Sequence, residues 1–211
     1  MSAPIVLESL DLAALLCSRV CHDLISPVGA IVNGLEVLEE DNDEETKTFA
    51  MDLIKKSARN ASAKLQFCRL AFGAAGSAGV QIDTGDAEAM ARGFVEDGKI
   101  KLTWNPPRVL LAKNRVKLLL NMLLIAGQAI PRGGVLTVDP LGEGEAMSFK
   151  VTAAGTNARV PPHVVELVAG TPEGAIDAHA IQPFYTGMLA RACGLEVSVT
   201  PENDTIVVAA R

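Results

Sequence analysis

Three histidines are present in the 211 residues, and one of them stands in a setting suited to nucleophilic chemistry. His22 lies in the string Cys21-His22-Asp23-Leu24-Ile25-Ser26-Pro27. A neutral imidazole offers one free nitrogen lone pair while its other nitrogen is held by a partner. Asp23 and Ser26 are the local polar groups, and Asp23 is placed to orient the ring or assist its proton transfer. Pro27 removes a backbone donor about one turn later. His163 follows Pro161-Pro162 and His179 opens a later helix, and both read as surface residues. Cys17, Cys21 and Cys68 read as apolar fillers on helix stripes, since no paired Cys-x-x-Cys spacing marks a metal site.

Such an imidazole needs a rigid support. From Ser9 to Glu40 the apolar residues follow a heptad, Leu10, Cys17, Leu24, Ile31 and Leu38, widened by Ala14, Cys21, Val28 and Leu35. That pattern predicts a core-facing helix. Two steps of about 100° separate His22 from Leu24, which turns the histidine away from the stripe and toward water. Asp41-Asn42-Asp43 breaks the pattern, and a second helix runs to about Phe72 on the stripe Met51, Ile54, Ala58, Ala61, Leu65, Cys68 and Phe72. Phe49, Leu53, Phe67 and Leu70 lie off that stripe, so this helix carries more apolar surface than one partner covers. Two helices alone cannot exclude water, whereas two hairpins side by side form a four-helix bundle. A homodimer through this segment is the expectation.

The small-residue run near residue 76 then divides the chain into a hairpin at 1–75, a linker at 76–80 and a second domain at 81–211. In that domain helices and strands interleave, which predicts a two-layer α/β sandwich and an α+β chain as a whole. The last two strands, from about Leu195 and Thr205, pair as a hairpin around Glu202-Asn203-Asp204.

Composition narrows the function further. With 19 basic and 25 acidic residues, a net charge of −6 and 4% aromatics, the chain lacks the surface of a nucleic-acid binder. The start has no signal-peptide pattern, and the apolar stretch Leu118 to Ile130 is too short to span a membrane. A cytoplasmic protein without a membrane segment is expected.

The local string carries a resemblance. His22-Asp23-Leu24-Ile25-Ser26-Pro27 resembles the H-box of sensor histidine kinases: His, an acidic residue, Leu, any residue, Ser or Thr, Pro. In those kinases the box lies on the first helix of a dimeric four-helix bundle, followed by an α/β ATP-binding domain, the same order as read above. The second half departs from them. Asn121 matches the first of two asparagines in the kinase N-box, but Ile125 stands where the magnesium-binding one belongs, and isoleucine has no oxygen to offer. Ala153 stands at the adenine-reading aspartate, Asn157 at a glycine, and Tyr185-Thr186-Gly187-Met188-Leu189 keeps a single glycine of the second glycine box. Residues 158 to 178 are too few for a full ATP lid.

An intact H-box without a nucleotide site is similar to the ChpT-type histidine phosphotransferases of alphaproteobacterial phosphorelays. Arg19-Val20-Cys21-His22-Asp23 and Leu65-Gln66-Phe67-Cys68-Arg69-Leu70-Ala71-Phe72 carry that closer likeness. The resemblance implies a homodimer with no cofactor of its own and no ATP, and Mg²⁺ on the receiver partner. It implies that His22 takes a phosphoryl group from the receiver of a CckA-like hybrid kinase and passes it to CtrA-like and CpdR-like response regulators. Counting from the turn places residues near 62 opposite His22, so Arg59, Ser62 and Gln66, with Arg19 and Ser26, are the expected receiver contacts. The alternatives are a divergent ATP-dependent kinase and a non-catalytic dimeric adaptor.

Overall fold

Helix α1 (Ser9–Glu40) and helix α2 (Glu44–Ala71) pack against each other along their lengths in a computed structural model that describes residues 4–40, 43–73, 81–96 and 98–211. Asp43 opens α2 by accepting the Thr46 N–H at 2.9 Å, and Glu44 and Glu45 occupy the positive first turn. The helices approach closely at Gly34, where a Cβ would lie 2.6 Å from Ile54 Cγ1 and 3.3 Å from the Ala50 carbonyl oxygen.

The apolar heptads divide between two faces. Val20, Ile31 and Leu38 are half-buried, and Ala50, Cys68 and Ala71 are buried. Leu10, Ala14, Cys17, Cys21, Val28 and Leu35 remain exposed, as do Met51, Ala58 and Leu65 of α2. The reading of Cys17 and Cys21 as core fillers is therefore corrected for the single chain. The surplus apolar surface of α2 is also partly accounted for within the chain. Phe67 is fully buried and stacks on Phe94 with ring centroids 4.1 Å apart, and Leu70 packs against the main core. Phe49 stays 72% exposed.

Among the described residues one helix, α1, is long and apolar enough to cross a bilayer by length and composition alone, with a mean hydropathy of 1.4 over 18 residues. The stretch weighed in the sequence, residues 118–130, belongs instead to a core helix. Arg19, His22 and Asp23 sit mid-helix in α1, and its far face is the exposed heptad just described.

The second domain places β1 (Gln81–Asp83), α3 (Thr84–Val95), β2 (Ile100–Trp104) and β3 (Leu110–Ala112) ahead of α4 (Lys113–Ala129). Then follow β4 (Gly134–Leu141), β5 (Ser148–Ala154), α5 (Val164–Ala169), α6 (Ile181–Ala192), β6 (Val197–Glu202) and β7 (Thr205–Ala210). The five-stranded sheet runs β2-β4-β5-β7-β6, parallel between β2 and β4 and antiparallel elsewhere, and β1 pairs with β3 as a separate ribbon. The α4 residues from Val116 to Ala126 are buried throughout, which makes α4 the central helix of the core. The closing hairpin forms as read, with Asn203 at φ 53° in its turn. The expected linker, residues 76–80, lies outside the described residues.

The two mid-helix glycines of α1 have opposite expected effects. Gly34→Leu drives a side chain into Ile54 and lowers stability by about 1–3 kcal/mol. Gly29, whose added Cβ would meet nothing within 4 Å, gains up to about 1 kcal/mol as Gly29→Ala. Urea denaturation of both variants measures the difference.

Candidate functional site

The His22 side chain is 57% exposed, and its Nδ1 lies 3.7 Å from Asp23 Oδ1. Asp23 is only 14% exposed, and its other oxygen accepts from Arg19 Nε at 3.1 Å. A fixed carboxylate beside Nδ1 favours the tautomer with its hydrogen there and leaves the Nε2 lone pair as the nucleophile. Arg19 is itself 12% exposed, and its Nε holds the Asp23 carboxylate. This bond gives the residue expected as a receiver contact a role inside the helix as well.

The turn carrying these residues is fastened by a neighbouring defect. Pro27 has no N–H, so the Asp23 carbonyl loses its helical partner four residues on. Lys64 of α2 supplies that donor, its Nζ 3.1 Å from the Asp23 oxygen. Helix α2 thus repairs α1 at the His22 turn. The same bond sets Lys64 of α2 against the Asp23 backbone, about half a turn beyond the position counted from the sequence. Cys68 lies buried at this level, its thiol pushed up to about 11 by burial and by the nearby Asp23 charge.

Ser26 is exposed one turn from His22 on the same face of α1. Arg59, Ser62 and Gln66 are exposed too, but they line a groove against Ala89, Met90 and Gly93 of α3. They belong to the α3 side of α2, while His22 belongs to the α6 side of α1.

His179 is exposed, as read from the sequence, and it also lies beside the histidine string. Its ring meets that of His22 with centroids 4.7 Å apart and planes at 79°, edge to face. Two features hold it there. The Asp177 carboxylate accepts the His179 and Ala180 N–H groups at 2.9 and 2.8 Å, and those bonds hold the carboxyl below its ordinary range. Behind it, Ile181 and Phe184 of α6 pack with Leu167 against Leu12, Leu15 and Leu16 of α1. The sequence carried a signal for this contact in those three leucines, which stand off the heptad stripe.

Inside the second domain, Asn121 is fully buried and donates to the Ala71 and Lys117 carbonyls at 3.1 and 2.9 Å. Lys117 is 6% exposed and reaches the carbonyls of Phe72 and Gly73, with its ammonium 5.4 Å from the Tyr185 ring centre. Burial lowers its pKa from the ordinary lysine value. Ile125 and Ala153 are both fully buried among the core residues. Between the end of α4 and α6 lies a cavity of about 550 Å³ whose lining includes Gln128, His163, Glu166, Glu173, Asp177 and His179. Among the described residues no group of three or more His, Cys, Asp or Glu side chains is arranged to hold a metal ion.

Comparison with known proteins agrees with this architecture. The histidine phosphotransferase C-terminal domain family matches residues 84–205. The chain is 57% identical over its full 211 residues to protein phosphotransferase ChpT of Brucella abortus (strain 2308), and covers that protein in full. It also superimposes on a bacterial phosphotransferase solved at 1.7 Å with a TM-score of 0.90, at 54% identity and full coverage of both chains. A hairpin presenting a histidine, joined to a mixed sheet domain, is thus the build of a phosphotransferase. The chain belongs to the histidine phosphotransferase family.

The repair of the α1 backbone predicts a coupling. Lys64→Met leaves the Asp23 carbonyl unpaired and costs about 1–3 kcal/mol. Pro27→Ala restores the helical N–H, so a double-mutant cycle gives a coupling of at least about 0.5 kcal/mol between the two sites. Additive losses in urea denaturation would show that Lys64 does not substitute for the missing donor.

Proposed function

We propose that this chain is a phosphorelay intermediate that carries phosphoryl groups between receiver domains on His22, in the cytoplasm and without ATP. The observation that carries this reading is an exposed imidazole whose Nδ1 side faces a fixed, nearly buried carboxylate. In the forward step the oxygen–phosphorus bond of a receiver aspartyl phosphate breaks as a bond forms from His22 Nε2 to phosphorus. The receiver carboxylate leaves with the electron pair. The ring keeps its Nδ1 hydrogen and becomes cationic, and the Asp23 charge 3.7 Å away offsets that charge. Mg²⁺ held by the receiver supplies charge stabilisation on the transferring phosphoryl group. The reverse sequence passes the group to a second receiver. The family resemblance makes the donor a CckA-like hybrid kinase and the acceptors CtrA-like and CpdR-like regulators.

Two further features support the reading. The positions that would ligate a nucleotide, Ile125 and Ala153, are packed into the core. Glu166, Glu173 and Asp177 line the cavity at the shortened lid, and their charges oppose a triphosphate. The exposed heptad of Leu10, Cys17, Val28, Leu35, Met51 and Leu65 fits the inner face of a four-helix bundle and supports a homodimer. Ser26 and the open backbone at Gly29 extend the accessible face beside His22 for a receiver.

A radiolabelled phosphorylated receiver is expected to place acid-labile label on the wild type and none on His22→Gln, and labelled ATP alone is expected to label neither. Label from ATP alone would make the protein a kinase, and label from the receiver on neither protein would leave a binding adaptor. The solution mass is expected at twice the 22.1 kDa chain, falling to one chain in Val28→Asp/Leu65→Asp. In that monomer Cys17 and Cys21 alkylate rapidly at pH 8, whereas they are protected in the dimer. Cys68, buried with its thiol pushed up to about 11, resists in both.

A further inference from the structure

A phosphoacceptor on an open helix face has two freely rotating side-chain bonds, and only a few of its orientations place Nε2 in line with an incoming phosphorus. Asp23 constrains the Nδ1 side, yet a 3.7 Å approach is longer than a hydrogen bond and leaves the ring free to swing. The second constraint comes from elsewhere in the chain, where the His179 ring packs edge to face against His22 at a centroid distance of 4.7 Å. The backbone that carries this neighbour is fastened on both sides, while its ring is exposed. Asp177 fixes its backbone through two hydrogen bonds, and the α6 turn behind it is anchored in the cluster of Ile181 and Phe184 with Leu12, Leu15 and Leu16.

We infer that His179 is a positioning residue for phosphoryl transfer: the second domain reaches back through α6 and sets the orientation of the His22 imidazole. The inference rests on His22 being the phosphoacceptor. It also gives the second domain a part in the transfer step that needs no nucleotide. With the Asp23 carboxylate beside Nδ1 and the His179 ring packed edge to face against it, His22 keeps Nε2 toward the approaching receiver. Losing one wall spreads the ring over several rotamers, so the cost falls on the rate of transfer from the docked complex and leaves receiver affinity untouched.

Single-turnover transfer from a labelled phosphoreceiver, run over a series of receiver concentrations, tests this on the full-length protein. His179→Ala is expected to lower the limiting rate constant on the order of tenfold with the half-saturating receiver concentration unchanged. His179→Phe keeps a ring at the same place and is expected to stay within about threefold of the wild type. Three-bond couplings about χ1 of His22 are expected to show one rotamer in the wild type and in His179→Phe, and averaging in His179→Ala. A wild-type rate in His179→Ala, or equal losses in His179→Ala and His179→Phe, would overturn the role of His179. A rise in half-saturating concentration without a change in rate would also overturn it, by making His179 a docking residue. His22→Gln separates the two levels of the argument: if it still takes label, the phosphoacceptor is elsewhere and the underlying reading fails first.

Discussion

The hold of α4 on the last turn of α2 is the constraint from which the rest of the molecule follows. A helix ends with carbonyls that have no partner in the helix, and a buried end must find donors elsewhere. Asn121 supplies one to Ala71, and Lys117 reaches Phe72 and Gly73. The ammonium sits at the negative end of the helix dipole and near the Tyr185 ring, which offsets part of the cost of burying it. Because α2 is fixed at that end, Phe67 stacks on Phe94 of α3 and the hairpin cannot rotate about its own axis. The flank of α1 opposite that contact then meets α6, and His179 arrives at His22.

The same helix explains what became of the nucleotide-binding features that the family resemblance implies. Asn121 is the retained asparagine of the N-box pattern, and here its amide is spent on the last turn of α2, on the Lys117 carbonyl one turn back in α4, and on Gln182, whose Nε2 donates to it. Ile125 and Ala153 carry the substitution further, from polar ligands to core packing. Gly187 lets α5 lie directly on α6, since a Cβ there would overlap the Val168 carbonyl. The domain is therefore a solid support, with its centre filled by side chains from α4 and the sheet.

Legibility from the sequence followed the range of each interaction. Helices α1, α2, α4 and α6 and the closing hairpin repeat their apolar residues often enough for the period to show. The ribbon of β1 and β3 escaped notice because three-residue strands have no period, and they exist only because Gln81–Asp83 pairs with Leu110–Ala112. The heptad of α1 was visible, but its division into a face against α2 and an exposed face depends on how closely Gly34 lets the helices approach. The charge of Arg19 reads as one available to a partner, and its 3.1 Å bond to Asp23 adds a role in holding that carboxylate.

The sequence by itself determined the chemistry on offer: a histidine, an acid, and a proline one turn on, carried by a long helix and followed by a domain with Ile125 and Ala153 at two positions where the kinase resemblance expects polar groups. Local order of this kind is written in consecutive residues, because side chains three and four apart share a helix face whatever the rest of the chain does. The tertiary structure alone decided what surrounds the ring. Lys64 finds the carbonyl that Pro27 frees 41 residues away from it, and His179 reaches His22 across most of the chain. Those contacts depend on the packing angle between hairpin and sheet domain, which is set by buried donors on α4 and by leucines on α1 acting together. No single stretch of residues contains that angle.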